Sequence, residues 1–159
     1  MISGTEAGKR FEGKFKLTME RAGLIAMRIP DVANVRSGVR YGRDTMADFV
    51  VMGDGVTCLV ECKATSNRNL RHDRVHRHQV RSLLEVDAIE GHMGVLAVEF
   101  FDRRGYRFPH RMYLLPVSEW VRHMETSGRK SMPEGDFARL GVELPYSGSS
   151  YVFDGRWTR

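Results

Sequence analysis

The stretch TMADFVVMGDGVTCLVECKAT, residues 45–65, holds two runs rich in β-branched residues, Asp48 to Met52 and Val56 to Lys63, on either side of Gly53, Asp54 and Gly55. Asp-Gly between two such runs predicts a hairpin, because a tight two-residue turn needs positive φ at both central positions. With Asp54-Gly55 as the turn, cross-strand partners have positions summing to 109, so Gly53 faces Val56, Val50 faces Leu59 and Asp48 faces Glu61. Directly opposed residues hold their Cβ atoms roughly 4.5 to 5.5 Å apart, where two like charges repel, so a positive group belongs between them. Alternation along the second strand puts Glu61 and Lys63 on one face and Cys58, Val60, Cys62 and Ala64 on the other. Two acids and a lysine therefore converge.

Hard oxygen ligands of this kind suit Mg²⁺, which keeps several waters and takes one or two carboxylates together with substrate phosphate. Such an ion activates water and offsets charge on a phosphodiester, and Lys63 would orient the attacking water or stabilise the phosphorus centre. The competing reading makes Asp48 and Glu61 surface residues at a strand edge with Lys63 as a counter-charge, since an acid followed by Glu-x-Lys arises often by chance. Three features of context favour the first reading: the Asp-Gly hairpin, the apolar back face of the second strand, and a preceding helix that carries another acid.

Outward from the hairpin, residues from about Ser3 to Ala22 carry Phe11, Phe15 and Met19 at spacings of four and predict an amphipathic helix stopped by Gly23. Leu24 to Ile29 is a short apolar run ended by Pro30. Asp31 to Thr45, with Gly38, Gly42, Arg36, Arg40 and Arg43, reads as an exposed basic loop or short hairpin. Arg74 to Glu90 shows a helical stripe of Val80, Leu83, Leu84 and Ala88. Gly94 to Phe101 and Arg111 to Leu115 read as strands joined by a polar turn at Arg103, Arg104 and Gly105, and Ser118 to Thr126 as a short helix. The tail is expected to be loop-rich with a last strand near Tyr151 to Phe153. This order predicts an α/β single domain over residues 1–159, a mixed central sheet flanked by helices.

The 159 residues fit one domain, and 25 Lys and Arg against 20 Asp and Glu give a net charge of +5, which favours a polyanionic partner. Cys58 and Cys62 share a face of one strand, poor geometry for a mutual bridge, and are expected as reduced core residues. No apolar run is long enough for a membrane helix and the N-terminus lacks a secretory apolar core, which predicts a reducing, cytoplasmic setting.

The segment at residues 45–65 resembles the catalytic hairpin of the RecU family of Holliday junction resolvases, with the same twelve-residue gap between Asp48 and Glu61 and a threonine, Thr65, two places after the lysine. GKRFE near the start is similar to that family's first-helix motif and places Glu12 as an extra acid beside the metal. RHQV resembles its helix motif and nominates Gln79, and GRKSM at Gly128 to Met132 resembles a late segment. The resemblance implies a PD-(D/E)xK nuclease with a restriction-endonuclease-like core, acting in recombination and repair. Asp48, Glu61 and Glu12 would hold Mg²⁺ or Mn²⁺, and Lys63 and Gln79 would complete the catalytic set. The implied partners are a DNA four-way junction, nicked symmetrically, and a second copy of the chain as a homodimer, with no membrane and no small-molecule cofactor, in a bacterial or phage-infected cell. Thr45 and Thr65 would lie against the DNA. The family's longer insertion between first helix and catalytic acid, a stalk that enters the junction, is here cut to the interval Gly23 to Ala47, leaving a short basic element at about residues 30–45. That departure leaves flap, single-strand or duplex cleavage, or silent DNA binding, as the alternatives.

Arg36, Arg40 and Arg43 are candidates for the shortened DNA-entry element, and a surface loop is the competing reading. The run RNLRHDRVHRHQVR contains Arg68, Arg71, Arg74, Arg77 and Arg81, of which Arg68, Arg71 and Arg77 are the candidate DNA contacts; charge runs are otherwise solvated faces. His72 and His76 have i, i+4 spacing without further zinc ligands. Glu12 has a competing use in an i, i+4 pair with Lys16, worth about 0.3 to 0.5 kcal/mol. Gln79 without the family resemblance reads as a helix-surface amide. Lys130 either touches the DNA backbone or caps the helix ending near Ser127. Trp120 and Trp157 read as core or interface residues.

Overall fold

The computed structural model describes residues 3–30, 46–102 and 110–159. Helix α1, Gly4–Arg21, begins where the Ser3 hydroxyl accepts a hydrogen bond from the Glu6 amide at 3.2 Å. That bond satisfies one of the amide groups a helix start leaves without partners. Strand β1, Ile25–Arg28, pairs antiparallel with β2, Phe49–Gly53, which turns through Asp54 and Gly55 into β3, Val56–Thr65. Asp54 at φ 52° and Gly55 at φ 77° show the double positive φ that the hairpin needs. The expected register holds, with Gly53 opposite Val56 and Val50 opposite Leu59.

A short strand β4, Asn69–Arg71, and one 3₁₀ turn, His72–Arg74, lead to helix α2, Arg77–Asp87. The long helix expected from Arg74 is thus shortened at both ends. The arginine-rich half of the run goes to the strand and the turn, because Leu70 and Val75 rather than a helical stripe supply its buried side chains. Strand β5, His92–Phe100, lies parallel to β3, then β6, Arg111–Pro116, returns antiparallel and runs into helix α3, Val117–Thr126.

The tail departs from expectation. Residues Ser131–Pro133 form β7, paired with β4, followed by helix α4, Glu134–Leu140, and strand β8, Val142–Leu144, on the edge of the sheet beside β6. The strand expected at Tyr151 is a single bridge between Tyr146 and Tyr151. At these lengths of three to seven residues no periodicity rises above its surroundings, and pairing with distant strands decides the structure.

The main sheet runs β1-β2-β3-β5-β6-β8, mixed in direction through the single β3–β5 parallel pair. One face buries Phe11, Phe15 and Met19 of α1 against Cys58, Val60 and Cys62, and takes Tyr151 and Trp157 from the tail. The other buries Val80 and Leu83 of α2 and Trp120 of α3 against Leu59, Leu96 and Val98. Gly94 lets α2 sit tightly on this face, since a Cβ there would stand 2.1 Å from the carbonyl oxygen of Leu83. Both cysteines are buried and free, and burial pushes the Cys58 thiol up to about 12, so each behaves as a small apolar residue. Among the described residues no helix is long and apolar enough to cross a membrane.

Candidate active site

Asp48 stands one residue before β2 yet continues its ladder, with its amide donating to the Val60 carbonyl at 3.1 Å. Its carboxylate oxygen Oδ2 accepts a hydrogen bond from the Cys62 amide at 2.8 Å, which fixes the side chain across the hairpin. Glu61, only 1% exposed, projects from β3 toward the α2 side. Its Oε1 lies 2.6 Å from the Lys63 ammonium and accepts a hydrogen bond from Gln79 Nε2 at 2.7 Å. Gln79 is held at both ends, because its Oε1 accepts from the His76 amide at 3.0 Å at the start of α2. The amide that could have been a solvated helix residue is therefore oriented by the helix terminus and aimed at the acid.

Glu61 Oε2 is buried and, among the described residues, has no hydrogen-bond partner. Burial pushes the Glu61 carboxyl up to about 7; Asp48 and Glu12 raise it further, and the Lys63 ammonium works in the opposite sense. A carboxylate that gives up water on one oxygen, and finds nothing to replace it, is an acceptor waiting for a cation or a proton.

Glu12, Asp48, Glu61, Lys63 and Gln79 all line one cleft of about 310 Å³, together with Lys9, Arg28 and Arg74. The competing use of Glu12, a pair with Lys16, is not formed. Glu12 accepts from Arg28 Nε at 3.0 Å, while Lys16 lies 3.7 Å from Glu20. Among the described residues no group of three or more His, Cys, Asp or Glu side chains is placed to hold a metal ion by itself. The donor set fits an ion that keeps waters and shares phosphate oxygens, not a fully caged one.

The remaining candidates are dispersed. Thr65 is buried, its hydroxyl donating to the Asn69 carbonyl at 3.3 Å and accepting from the Asn67 amide at 3.2 Å, so it closes the turn after β3. Arg71 is ion-paired with Asp73. Arg77 lines a different groove, between α2 and α3, and Arg68 and Lys130 are exposed beside the β4–β7 pair. Arg36, Arg40, Arg43 and Thr45 lie outside the described residues, as does the turn at Arg103. Sequence reasoning did not single out Arg28 and Arg74. The one available signal was Arg28 itself, a cation at the end of an otherwise apolar strand.

A mixed sheet whose central hairpin brings Asp48, Glu61 and Lys63 together, with a glutamine from the crossover helix, defines a nuclease of the restriction-endonuclease-like class. The sequence model of the archaeal Holliday junction resolvase family, Hjc, matches residues 3–127. The chain belongs to that family, a family of endonucleases that act on DNA junctions. Among solved structures it is similar to the Hjc Holliday junction resolvase of Archaeoglobus fulgidus, an archaeal hyperthermophile. That similarity has a TM-score of 0.57 at 18% identity, over 86% of this chain and 95% of that one, a likeness of fold. No curated protein sequence matches at a significant level. The family shown is Hjc rather than the RecU family that the motifs resemble, and the common ground of the two is junction resolution.

Proposed function

We propose that this chain resolves DNA four-way junctions in recombination and repair by symmetric, metal-assisted phosphodiester hydrolysis, with Asp48 and Glu61 as metal ligands and Glu12 completing the acidic set. Mg²⁺ or Mn²⁺ is the ion this oxygen-rich set favours. The observation that carries the reading is the buried Glu61 Oε2, which has no hydrogen-bond partner among the described residues, on a side chain that lines one cleft with Asp48 and Lys63. When bound, the ion would lower the pKa of a water and offset charge on the phosphate.

The chain's own groups do the rest. Lys63 offers an ammonium beside Glu61 to hold a water or a phosphate oxygen, and Gln79 keeps the Glu61 carboxylate from rotating away. Glu61 itself is buried, where its contacts with Lys63 and Gln79 are stronger than in solvent. Arg28 holds Glu12 at the rim.

Paired nicks require two sites, and a homodimer supplies them. Support comes from an apolar groove of about 840 Å³ between α2 and α3, lined by Val80, Leu84, Ala88 and Met124. Arg77, Arg81 and Glu85 follow one another at spacings of four along α2 and line the same groove. Two copies of α2 laid antiparallel would set Arg77 of one toward Glu85 of the other.

Asp48→Ala tests the site on a mobile four-way junction run beside a linear duplex and a flap. Wild type should place two symmetric nicks in the junction, and the variant should lose cleavage by at least about 10³-fold, a loss typical of a deleted catalytic group, while junction affinity measured without divalent metal stays within a few fold. Full cleavage by Asp48→Ala would remove the assignment.

A further inference from the structure

Of the cations lining the cleft, Lys63 is neutralised by Glu61 and Arg28 by Glu12, and Lys9 is exposed on α1 with no anchoring contact among the described residues. Arg74 differs. It ends the 3₁₀ turn after β4, and its Nη2 donates to the main-chain carbonyl of Ala64 at 3.2 Å, one residue beyond Lys63 on β3. Among the described residues it has no carboxylate partner, whereas its neighbour Arg71 is spent on Asp73 and Arg77 faces the α2–α3 groove. A carbonyl anchor orients a guanidinium without cancelling its charge, and four N–H donors remain.

The base beneath it is braced by the C-terminal segment. The amide of His72 donates to the Lys130 carbonyl at 3.0 Å, and the Glu134 amide to the Arg68 carbonyl at 2.9 Å. His72 Nε2 lies 3.0 Å from His123 Nδ1, and His123 Nε2 lies 3.3 Å from Asp136 Oδ2. A chain end of this kind, free charge on a fixed stem, is suited to planar, two-pronged contact with a phosphate.

We propose that Arg74 is a catalytic residue that grips the non-bridging oxygens of the phosphate presented to Asp48 and Glu61, an inference that rests on the hydrolytic reading above. In hydrolysis the water oxygen forms a new bond to phosphorus, a proton from that water is released, and one bridging P–O bond breaks. The bond's electron pair leaves on the sugar oxygen, which takes up a proton. Arg74 takes no part in these proton transfers and donates hydrogen bonds to the oxygens whose charge rises at the midpoint, where such donors count most.

The test is single-turnover cleavage of a four-way junction at saturating protein and Mg²⁺, comparing wild type with Arg74→Ala and Arg74→Lys, alongside junction binding in Ca²⁺ and thermal unfolding. Arg74→Ala should slow the cleavage step by about 10² to 10³-fold. Affinity should change less than about threefold and the melting temperature should hold, with Arg74→Lys recovering part of the rate because it restores charge but not the fork. A cleavage rate within threefold of wild type, or a loss that appears wholly in affinity or in melting temperature, overturns the role. If wild type itself cuts no junction under Mg²⁺ or Mn²⁺, the hydrolytic reading fails first and takes this inference with it.

Discussion

Glu61 shares one carboxylate oxygen between Lys63 and Gln79 and buries the other with no partner among the described residues. Its carboxyl, raised to about 7 chiefly by burial, makes the metal-free fold sensitive to pH in a defined direction. Between its ordinary range and about 7 the folded chain binds more protons than the unfolded chain, so stability is greatest on the acid side and falls as pH rises through that window. The full difference is on the order of 3 kcal/mol. Thermal unfolding in a chelator should therefore show wild type losing stability from pH 5 to pH 8 relative to Glu61→Gln, whose side chain cannot ionise. A parallel pair of pH profiles would show that Glu61 ionises freely in the fold. A divalent ion competes with the same proton, so metal affinity should climb with pH up to about 7 and level off above it.

The elements that carry the site depend on close backbone approach as much as on side-chain chemistry. Gly94 on β5 admits the last turns of α2, and a Cβ at that position would meet Leu83 main-chain atoms at 2.1 Å and 2.7 Å. Backbone cannot swing aside as a flexible side chain can, so α2 would have to move off the sheet. Gly94→Ala should cost about 1 to 3 kcal/mol in chemical denaturation, the range for overpacking a filled core. Because α2 also carries Gln79, residual cleavage by the folded fraction should fall as well. Retained wild-type stability would mean that helix and strand are less tightly seated than the geometry gives.

At the scale of the whole molecule, Leu84 in the α2–α3 groove is 38% exposed and Ile89, two residues past the end of α2, 53% exposed, apolar surface that a monomer leaves in water. With a second copy seated there, Leu84→Glu would bury an unpaired carboxylate in the interface and should shift the chain from dimer to monomer by light scattering. Junction products should then change from paired to single nicks. A dimer that survives this substitution would place the interface elsewhere.

Local chemistry alone made part of this protein legible from its sequence. Asp-Gly sets a turn by its φ angles, the turn sets the register, and strict alternation then sorts Glu61 and Lys63 from Cys62, so the hairpin and its acids follow without knowledge of anything distant. Helix α1 was legible for the same reason, since Phe11, Phe15 and Met19 repeat at its own period. What no local pattern contained was decided by tertiary structure. The short tail elements exist because β7 finds β4 and β8 finds β6, pairings between segments far apart in the chain. Within the arginine run, only the fold separates Arg74 at the cleft from Arg71 on Asp73 and Arg77 in another groove, because a charge pattern records how many cations a segment carries and not which carboxylate or carbonyl each will meet.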